Sequence, residues 1–317
     1  MGAHRFGVLI NPTAGHGRGK ARGEQVLAEL DARGVSALNL TRSDPRAAFE
    51  NAQARRGQYD VLLVVGGDGM AHMGINLIAG TGTPLGLIPV GSGNDFARHL
   101  QLPVHDVPAA IEALFAALAT GPQPIDAVKL TPDLGNEWSS LDYPAPHRWA
   151  GCVVSAGFDS QVNSRANTYR WPRGMGRYLR GVFRELRTFR PYPYRIDIDG
   201  NEETFAGTLV AVANAPSFGG GMKIAPGARI NSGELEVVLA GRISRLGLLR
   251  VFPRVYAGTH ISHPAVRVIT ARDVRIAGAG GGEIPGVYAD GEFVGKGPAR
   301  VQLHSGVVQM LCPRLET

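Results

Sequence analysis

Two glycine-rich turns hold the residue types best suited to chemistry. Gly66-Gly67-Asp68-Gly69 follows the apolar run Val61-Leu62-Leu63-Val64-Val65, and Gly91-Ser92-Gly93-Asn94-Asp95 follows Leu85-Gly86-Leu87-Ile88-Pro89-Val90. Each run reads as a buried strand, and each turn leads into a segment able to start a helix. Glycine at a strand–helix turn lets the backbone approach a ligand and present its N–H groups. The helix N-terminus adds positive potential. Two such turns at neighbouring strand ends form a phosphate cradle. Asp68 is the awkward member, because a carboxylate among phosphate-binding amides repels phosphate unless a metal ion or proton relay requires it there.

These turns sit in a regular alternation from residue 5 to about residue 120. Phe6 to Ile10 reads as a strand, followed by a Gly-rich loop, a helix ending near Gly34, and a strand at Leu38 to Leu40. Ser43 or Asp44 can cap the next helix with Pro45 in its first turn, and Asp106 can cap an apolar helix that ends before Gly121. Apolar strands between helices predict an α/β unit, a parallel sheet with helices on both faces. In such sheets ligands bind beyond the C-terminal strand ends, where both turns lie. After Gly121-Pro122 the rhythm changes. Strand-like runs occur at Trp149 to Ser155, Tyr194 to Ile198, Thr208 to Ala213, Leu235 to Leu239, Val266 to Ile269 and Val301 to Leu303, with Asp199-Gly200-Asn201 as a hairpin turn. This half reads as a mostly antiparallel β domain. Residues 132 to 147, rich in Pro, Asp and Ser, read as an exposed excursion.

A chain of 317 residues suffices for two domains, and 44% hydrophobic with 19% charged residues excludes wholesale disorder. The balance of 33 Lys and Arg against 27 Asp and Glu gives +6. That suits phosphate-bearing partners or an anionic surface without choosing between them. Cys152 and Cys312 lie far apart in apolar contexts and read as buried free thiols in a reducing compartment. The start, Met1-Gly2-Ala3-His4-Arg5-Phe6, carries no apolar signal region or myristoylation spacing, and no run approaches a membrane span. The expectation is a cytoplasmic protein, peripheral at the inner membrane face. Oligomeric state, a homodimer included, stays open.

One helix is unusual. Arg173, Arg177, Arg180, Arg184 and Arg187 share one face, while Met175, Leu179, Val182, Leu186 and Phe189 share the other. Glu185 is the sole acid between Arg165 and Arg195. A solvated helix face and contact with anionic lipid headgroups both fit this pattern.

The first loop, Asn11-Pro12-Thr13-Ala14-Gly15-His16-Gly17-Arg18-Gly19-Lys20, resembles a Walker A loop and a dinucleotide fingerprint but matches neither. No glycine stands at the required spacing before Gly19-Lys20, and Ala21 follows the lysine. The three loops in order are more telling: Asn11-Pro12-x-x-Gly15, Gly66-Gly67-Asp68-Gly69 and Gly91-Ser92-Gly93-Asn94-Asp95-Phe96-Ala97-Arg98. With them the sequence resembles the diacylglycerol-kinase-type lipid kinases, the bacterial lipid kinases related to sphingosine and ceramide kinases. The resemblance extends through Ser155-Ala156-Gly157-Phe158-Asp159, Asn214-Ala215, Gly219-Gly220-Gly221, Ala225-Pro226 and Asp290-Gly291-Glu292. It covers essentially the whole chain. Gly-Gly-Asp-Gly alone also suits NAD kinases and phosphofructokinases, so the Gly91 to Asp95 motif is the discriminator.

The resemblance implies an ATP-binding α/β domain over residues 1–124, a β-sandwich lipid-substrate domain over 125–304, a return of 305–317 to the first domain, and an active site in the cleft between them. It implies ATP and Mg2+ as cofactors and transfer of the γ-phosphoryl group to the hydroxyl of diacylglycerol, giving phosphatidic acid. The partners are then a lipid substrate and an anionic membrane, with no nucleic acid. A kinase for a sphingoid base or glycolipid, and a catalytically impaired nucleotide-binding regulator, are the alternatives. Candidate nucleotide contacts are Asn11, Pro12, Thr13, Gly15, Thr41, Gly66, Gly67, Asp68, Gly69, Ser92 and Asn94, with Arg18 and Lys20 carrying less weight. Asp68 would act through the Mg–ATP complex. The family places its general base at Glu292, with Asp290 in support. From composition alone Asp290-Gly291-Glu292 is an ordinary hairpin turn.

Two departures stand out. Where the family has Thr, any residue, Asn and Glu after Gly-Gly-Asp-Gly, this chain has Met70, Ala71, His72 and Met73. Sphingosine kinases look similar at the first and third of these positions, but Met73 removes a carboxylate expected near the phosphates. Ser232 stands where bacterial relatives carry an aspartate of a structural magnesium site, and a hydroxyl is the weaker ligand, with Glu234 as a partial substitute.

Overall fold

The structure, a computed structural model of the chain, describes residues 4–133, 147–169 and 175–315. Parallel strands Ala37–Asn39, Phe6–Ile10, Val61–Gly66 and Leu85–Pro89 lie side by side in that order. Strand Val61–Gly66 is buried throughout, as a strand covered on both faces must be. Its side chains alternate between two cores. Val61, Leu63 and Val65 pack with Val26, Leu30, Ile111 and Leu114 of helices Gly19–Ala32 and Val107–Thr120. Leu62 and Val64 pack with Phe49, Ala52, Ile75 and Ile78 of helices Pro45–Ala54 and Asp68–Ile78. Asp44 caps one of these helices by accepting from the Ala47 amide at 3.0 Å, and Asp106 caps another through the Ala109 amide at 3.0 Å.

The sheet continues past its parallel part. Ala299–Met310 joins Leu85–Pro89 by a parallel pairing of Met310 with Leu85, and runs antiparallel to Gln123–Pro132 and Asp273–Gly278. Tyr192–Ile198 and Asn201–Gly207 extend it further, and Arg148–Ala150 flanks Gln123–Pro132. A second, antiparallel sheet has the order Val266–Ala271, Leu235–Ala240, Leu209–Ala213, Val153–Gly157, Val287–Ala289, Glu292–Gly295. Val128, Tyr194, Ile196 and Val274 of the first sheet share a core with Val154, Val210, Val237 and Val287 of the second. Two sheets facing one core make a sandwich. The α/β half and the antiparallel β-sandwich half expected from the sequence are both present.

Two sequence expectations change. The run Trp149 to Ser155 is broken into Arg148–Ala150 and Val153–Gly157, because the amides of Gly151 and Cys152 each donate to Asp290 at 2.8 Å. Val301 to Leu303 lies near the start of a strand of 12 residues, Ala299–Met310. The Asp199-Gly200 hairpin holds, with φ of 49° and 87° at its two central residues, the type I′ geometry. The arginine-bearing helix spans Met175–Leu186, so Arg177 falls inside it. Arg173 and residues 134–146 of the excursion lie outside the described residues. Val182, Leu186 and Phe189 pack on Phe158 and Val162, while Arg180, Arg184 and Arg187 are exposed. Both cysteines are buried and unpaired. No helix among the described residues is long and apolar enough to cross a membrane.

Candidate active site

The two glycine turns meet backbone to backbone. A Cβ on Gly91 would stand 2.4 Å from the Gly67 Cα, so no side chain fits at the contact. The amides of Val90 and Gly91 donate to the Gly66 carbonyl at 2.9 and 3.3 Å. Asn94 adopts φ 59° and turns its Nδ2 back to the Gly91 carbonyl at 2.8 Å, leaving Oδ1 buried without a hydrogen-bond partner. The first loop seats against the same strand end, where a Cβ on Gly15 would stand 2.5 Å from the Val90 oxygen. Asn11 Oδ1 accepts from the Thr13 amide at 3.0 Å and the Thr13 hydroxyl at 2.8 Å. Thr41 Oγ1 accepts from the Ile10 amide at 3.0 Å and so ties down the end of the first strand. Pro12, Thr13, Arg18, Lys20, Gly69 and Ser92 are exposed at this edge.

Asp68 opens helix Asp68–Ile78, and its Oδ1 accepts from the Phe96 amide at 3.1 Å. A Cβ on Gly93 would come within 2.6 Å of Asp68 Oδ2, so a side chain there would displace the Asp68 carboxylate. Burial holds the Asp68 carboxyl above the ordinary aspartate range. The charges of Asp95 and Asp290 push the same way, against the amides of Phe96 and Asn94. The helix face of Asp68, Ala71, His72 and Ile75 lines a cavity together with Asp95, Phe218 and Asp290. Three acids and a histidine thus converge on one small volume.

Asp290 is held from several sides. Oδ1 accepts from the amides of Cys152 and Val153 at 2.8 and 3.0 Å, and Oδ2 accepts from Gly151 at 2.8 Å. Oδ2 also lies 3.1 Å from His72 Nδ1. Asp290 and Gly291, with φ of 52° and 89°, form the two-residue turn between Val287–Ala289 and Glu292–Gly295. The segment is therefore a hairpin turn whose aspartate reaches back into the neighbouring strands. It delivers Glu292 to the cleft, where a Cβ on Gly69 would stand 3.2 Å from Glu292 Oε1. The exposed carboxylate of Glu292 faces the start of the helix that carries Asp68.

Sequence reasoning quoted Asp95 and His72 only as motif members. Asp95 is 3% exposed; its Oδ2 accepts from the Gly220 amide at 2.6 Å, joining the second glycine turn to the Gly219-Gly220-Gly221 segment. Its Oδ1 makes no hydrogen bond and has Arg98 Nη1 at 3.6 Å. Met73, expected to matter near the phosphates, points into the hydrophobic core at 4% exposure. The Ser232 hydroxyl bonds within its own turn, to the carbonyls of Arg229 and Glu234 at 3.0 Å each. Asp126 braces that turn by accepting from the amides of Gly233 and Gly306 at 2.7 and 2.9 Å.

The family model of the diacylglycerol kinase catalytic domain matches residues 5–130, and that of the YegS C-terminal NAD kinase beta sandwich-like domain matches residues 152–312. A diacylglycerol kinase of Mycobacterium tuberculosis (strain ATCC 25618 / H37Rv) is 36% identical over 312 residues, spanning 97% of this chain and 94% of the relative. A diacylglycerol kinase of Staphylococcus carnosus (strain TM300) is 26% identical over 302 residues, spanning 93% and 90%. Among solved structures, a diacylglycerol kinase from Bacillus anthracis str. Sterne superposes with a TM-score of 0.71 at 20% identity, over 98% of each chain. At that identity the match speaks for the fold.

Proposed function

The chain belongs to the diacylglycerol kinase family and is a lipid kinase, and from that premise we propose that it transfers the γ-phosphoryl group of Mg–ATP to the hydroxyl of diacylglycerol. The observation that carries this reading is the approach of Glu292 to Gly69 across the cleft, beside the cradle where Gly67 and Gly91 touch.

The amides at the start of helix Asp68–Ile78 and the paired glycine turns hold the triphosphate, aided by the dipole of that helix. Asn11, Thr13, Thr41 and Ser92 lie along the same edge for the rest of the nucleotide. Magnesium, bound with the nucleotide, supplies charge neutralisation at the phosphates. Asp68 suits it, since burial and the nearby Asp95 and Asp290 all disfavour its charged form until a cation is present. Among the described residues no three His, Cys, Asp or Glu side chains form a metal cage. The reading needs none, because the ion would be held largely by phosphates.

Glu292 accepts the proton of the acceptor hydroxyl as its oxygen bonds to the γ-phosphorus and the bond to the bridging oxygen breaks. Phosphatidic acid and ADP result. Asp290 fixes the turn that presents Glu292, and positioning of this kind is a large part of phosphoryl-transfer catalysis.

The lipid side is an apolar cavity of about 100 Å³, walled by residues such as Val182, Leu186, Met222 and Phe252. Phe218 lines both this cavity and the polar one with Asp68 and Asp290, so a chain seated here leads to the cleft. On the helix above it Phe183 is 60% exposed among Arg180, Arg184 and Arg187, which suits peripheral contact with anionic headgroups at the cytoplasmic membrane face. A catalytically impaired regulator is less well supported, because Met73 leaves the cleft to Asp68 and Glu292.

Radiolabelled ATP offered with a lipid panel tests this reading. Transfer to dioleoylglycerol is expected, with loss of most turnover but retained ATP binding in Glu292→Gln. Intact ATP binding with no transfer to any lipid would overturn it in favour of the regulator.

A further inference from the structure

The apolar cavity holds two polar groups that the protein leaves unsatisfied. Asp159 is the second residue of helix Phe158–Thr168. The residue keeps partial exposure, yet both carboxylate oxygens are shut off from solvent and neither has a well-aligned donor within 3.5 Å. Burial pushes its carboxyl up to about 6, and the Ser155 hydroxyl and the amide and hydroxyl of Ser160, which point hydrogen-bonding groups toward it without a well-aligned contact within 3.5 Å, lower it only in part. His260 lines the same cavity and is 3% exposed. Its Nε2 lies 3.0 Å from the Ile224 carbonyl oxygen. A carbonyl only accepts, so Nε2 carries the proton. Burial lowers the pKa of the ring and favours its neutral form. Nδ1 is then a second acceptor, also buried and without a partner. Apart from Thr208, the remaining walls are apolar, Leu209, Phe218, Val238 and Phe252 among them.

A buried acceptor without a donor is destabilising, and native proteins rarely keep one without a reason. A pocket for bare acyl chains gains nothing from a carboxylate and an imidazole nitrogen. A pocket for a chain that carries a donor gains from both. Well-placed polar groups in an otherwise apolar pocket are also what sets ligand specificity.

We propose that Asp159 and His260 form a specificity site in this cavity for a lipid that carries a hydrogen-bond donor, a hydroxyl, amide N–H or ammonium, within its apolar part. The inference rests on the reading of the cavity as the seat of the lipid, and it narrows the acceptor from glycerides in general to those with a second donor or to an amino lipid. An ammonium would pair with the ionised carboxylate of Asp159. A hydroxyl or amide N–H would donate to either acceptor.

The test offers the full chain a lipid series in mixed micelles: dioleoylglycerol, diricinoleoylglycerol with its hydroxylated chains, and sphingosine. Displacement of a fluorescent long-chain probe reads binding, and radiolabelled ATP reads transfer. A donor-bearing lipid is expected to bind roughly tenfold or more tightly than dioleoylglycerol, because a site with buried polar groups rejects an analogue that leaves them unpaired. Asp159→Leu should shrink that ratio to about twofold, and His260→Phe should shrink it part of the way. Should Asp159→Leu fail to fold, Asp159→Asn keeps the volume while replacing one acceptor oxygen, and the wild-type series decides by itself. Preference for sphingosine alone marks an ammonium site, and preference for both donor lipids marks a hydrogen-bond site; either supports the proposal. Equal binding of donor-bearing and donor-free lipids by the wild type overturns it, as does an unchanged ratio in the Asp159 variants. Failure of the lipid-kinase reading looks different, as probe displacement with an intact preference but no transfer to any lipid.

Discussion

Two acids on either side of Phe218 are held in opposite ways. In the polar cleft Asp290 receives three backbone amides and lies beside His72. Under the apolar cavity Asp159 has no well-aligned donor within 3.5 Å. The first arrangement suits a group that must stay in one place, because fixed backbone amides hold both of its oxygens. The second suits a group whose partner arrives from outside. The same residue type thus serves as scaffold on the nucleotide side and as an open acceptor on the lipid side, and the difference lies in how many donors the surrounding strands supply.

The comparison is most exposed to disproof at the cleft. Asp68→Ala should lower kcat by about 10³-fold or more with a small change in Tm, since the residue faces a cavity and not the core. Glu292→Gln should lose about 10²- to 10⁴-fold, the range for removal of a general base. A kcat near that of the wild type in either variant would take the residue out of its role. Asp290→Ala should be the most destabilising of the acidic changes, by about 4 kcal/mol in urea unfolding, because it strands three buried amides. If it unfolded like the wild type, Asp290 would not be the scaffold described here.

Asp159 should behave in the contrary sense. Its native carboxyl titrates at about 6 against an ordinary value of 3.8. The native state therefore holds that proton more tightly than the unfolded chain. Its contribution is fully present below the unfolded value and is lost as pH rises through about 6, in total about 3 kcal/mol. Asp159→Asn, which cannot ionise, should gain on the wild type by up to that amount between pH 4 and pH 7. Parallel pH profiles for the two proteins would remove the contrast with Asp290. The smallest effect concerns the exposed arginines. Arg184→Glu should weaken sedimentation with anionic vesicles by about 1 kcal/mol per unit of charge removed, and salt should erase the difference. Binding indifferent to both would separate this helix from the membrane.

Much of this was legible in the sequence, for local reasons. Each parallel strand is a short unbroken apolar run, and Asp44 and Asp106 announce the helices they cap. The cradle showed itself because only glycine fits where Gly67 and Gly91 touch. Asp290-Gly291 read as a hairpin for the reason it is one. The parts that escaped depend on partners far along the chain. Nothing within Trp149 to Ser155 signals that Asp290 will draw off its amides, nor does Asp95 signal Gly220. Met73 could have been placed. Asp68, Ala71, His72 and Ile75 follow the helical period onto the cleft, and Met73 falls off that face. Asp159 and His260 could not, because a cavity is a product of packing between distant segments.

The pairing of Met310 with Leu85 has a consequence for the order of events during synthesis. Leu85–Pro89 leaves the ribosome long before Ala299–Met310 exists. Until the later strand is made, the earlier sheet waits with one edge unsheltered, and unpaired strand edges invite association with other chains. Closing that edge is a contact of very high sequence separation, the kind that slows folding. The nascent chain is thus at its most aggregation-prone while the second half is being translated, and a chaperone that shields the Leu85 edge during that interval would act on yield without touching the finished enzyme.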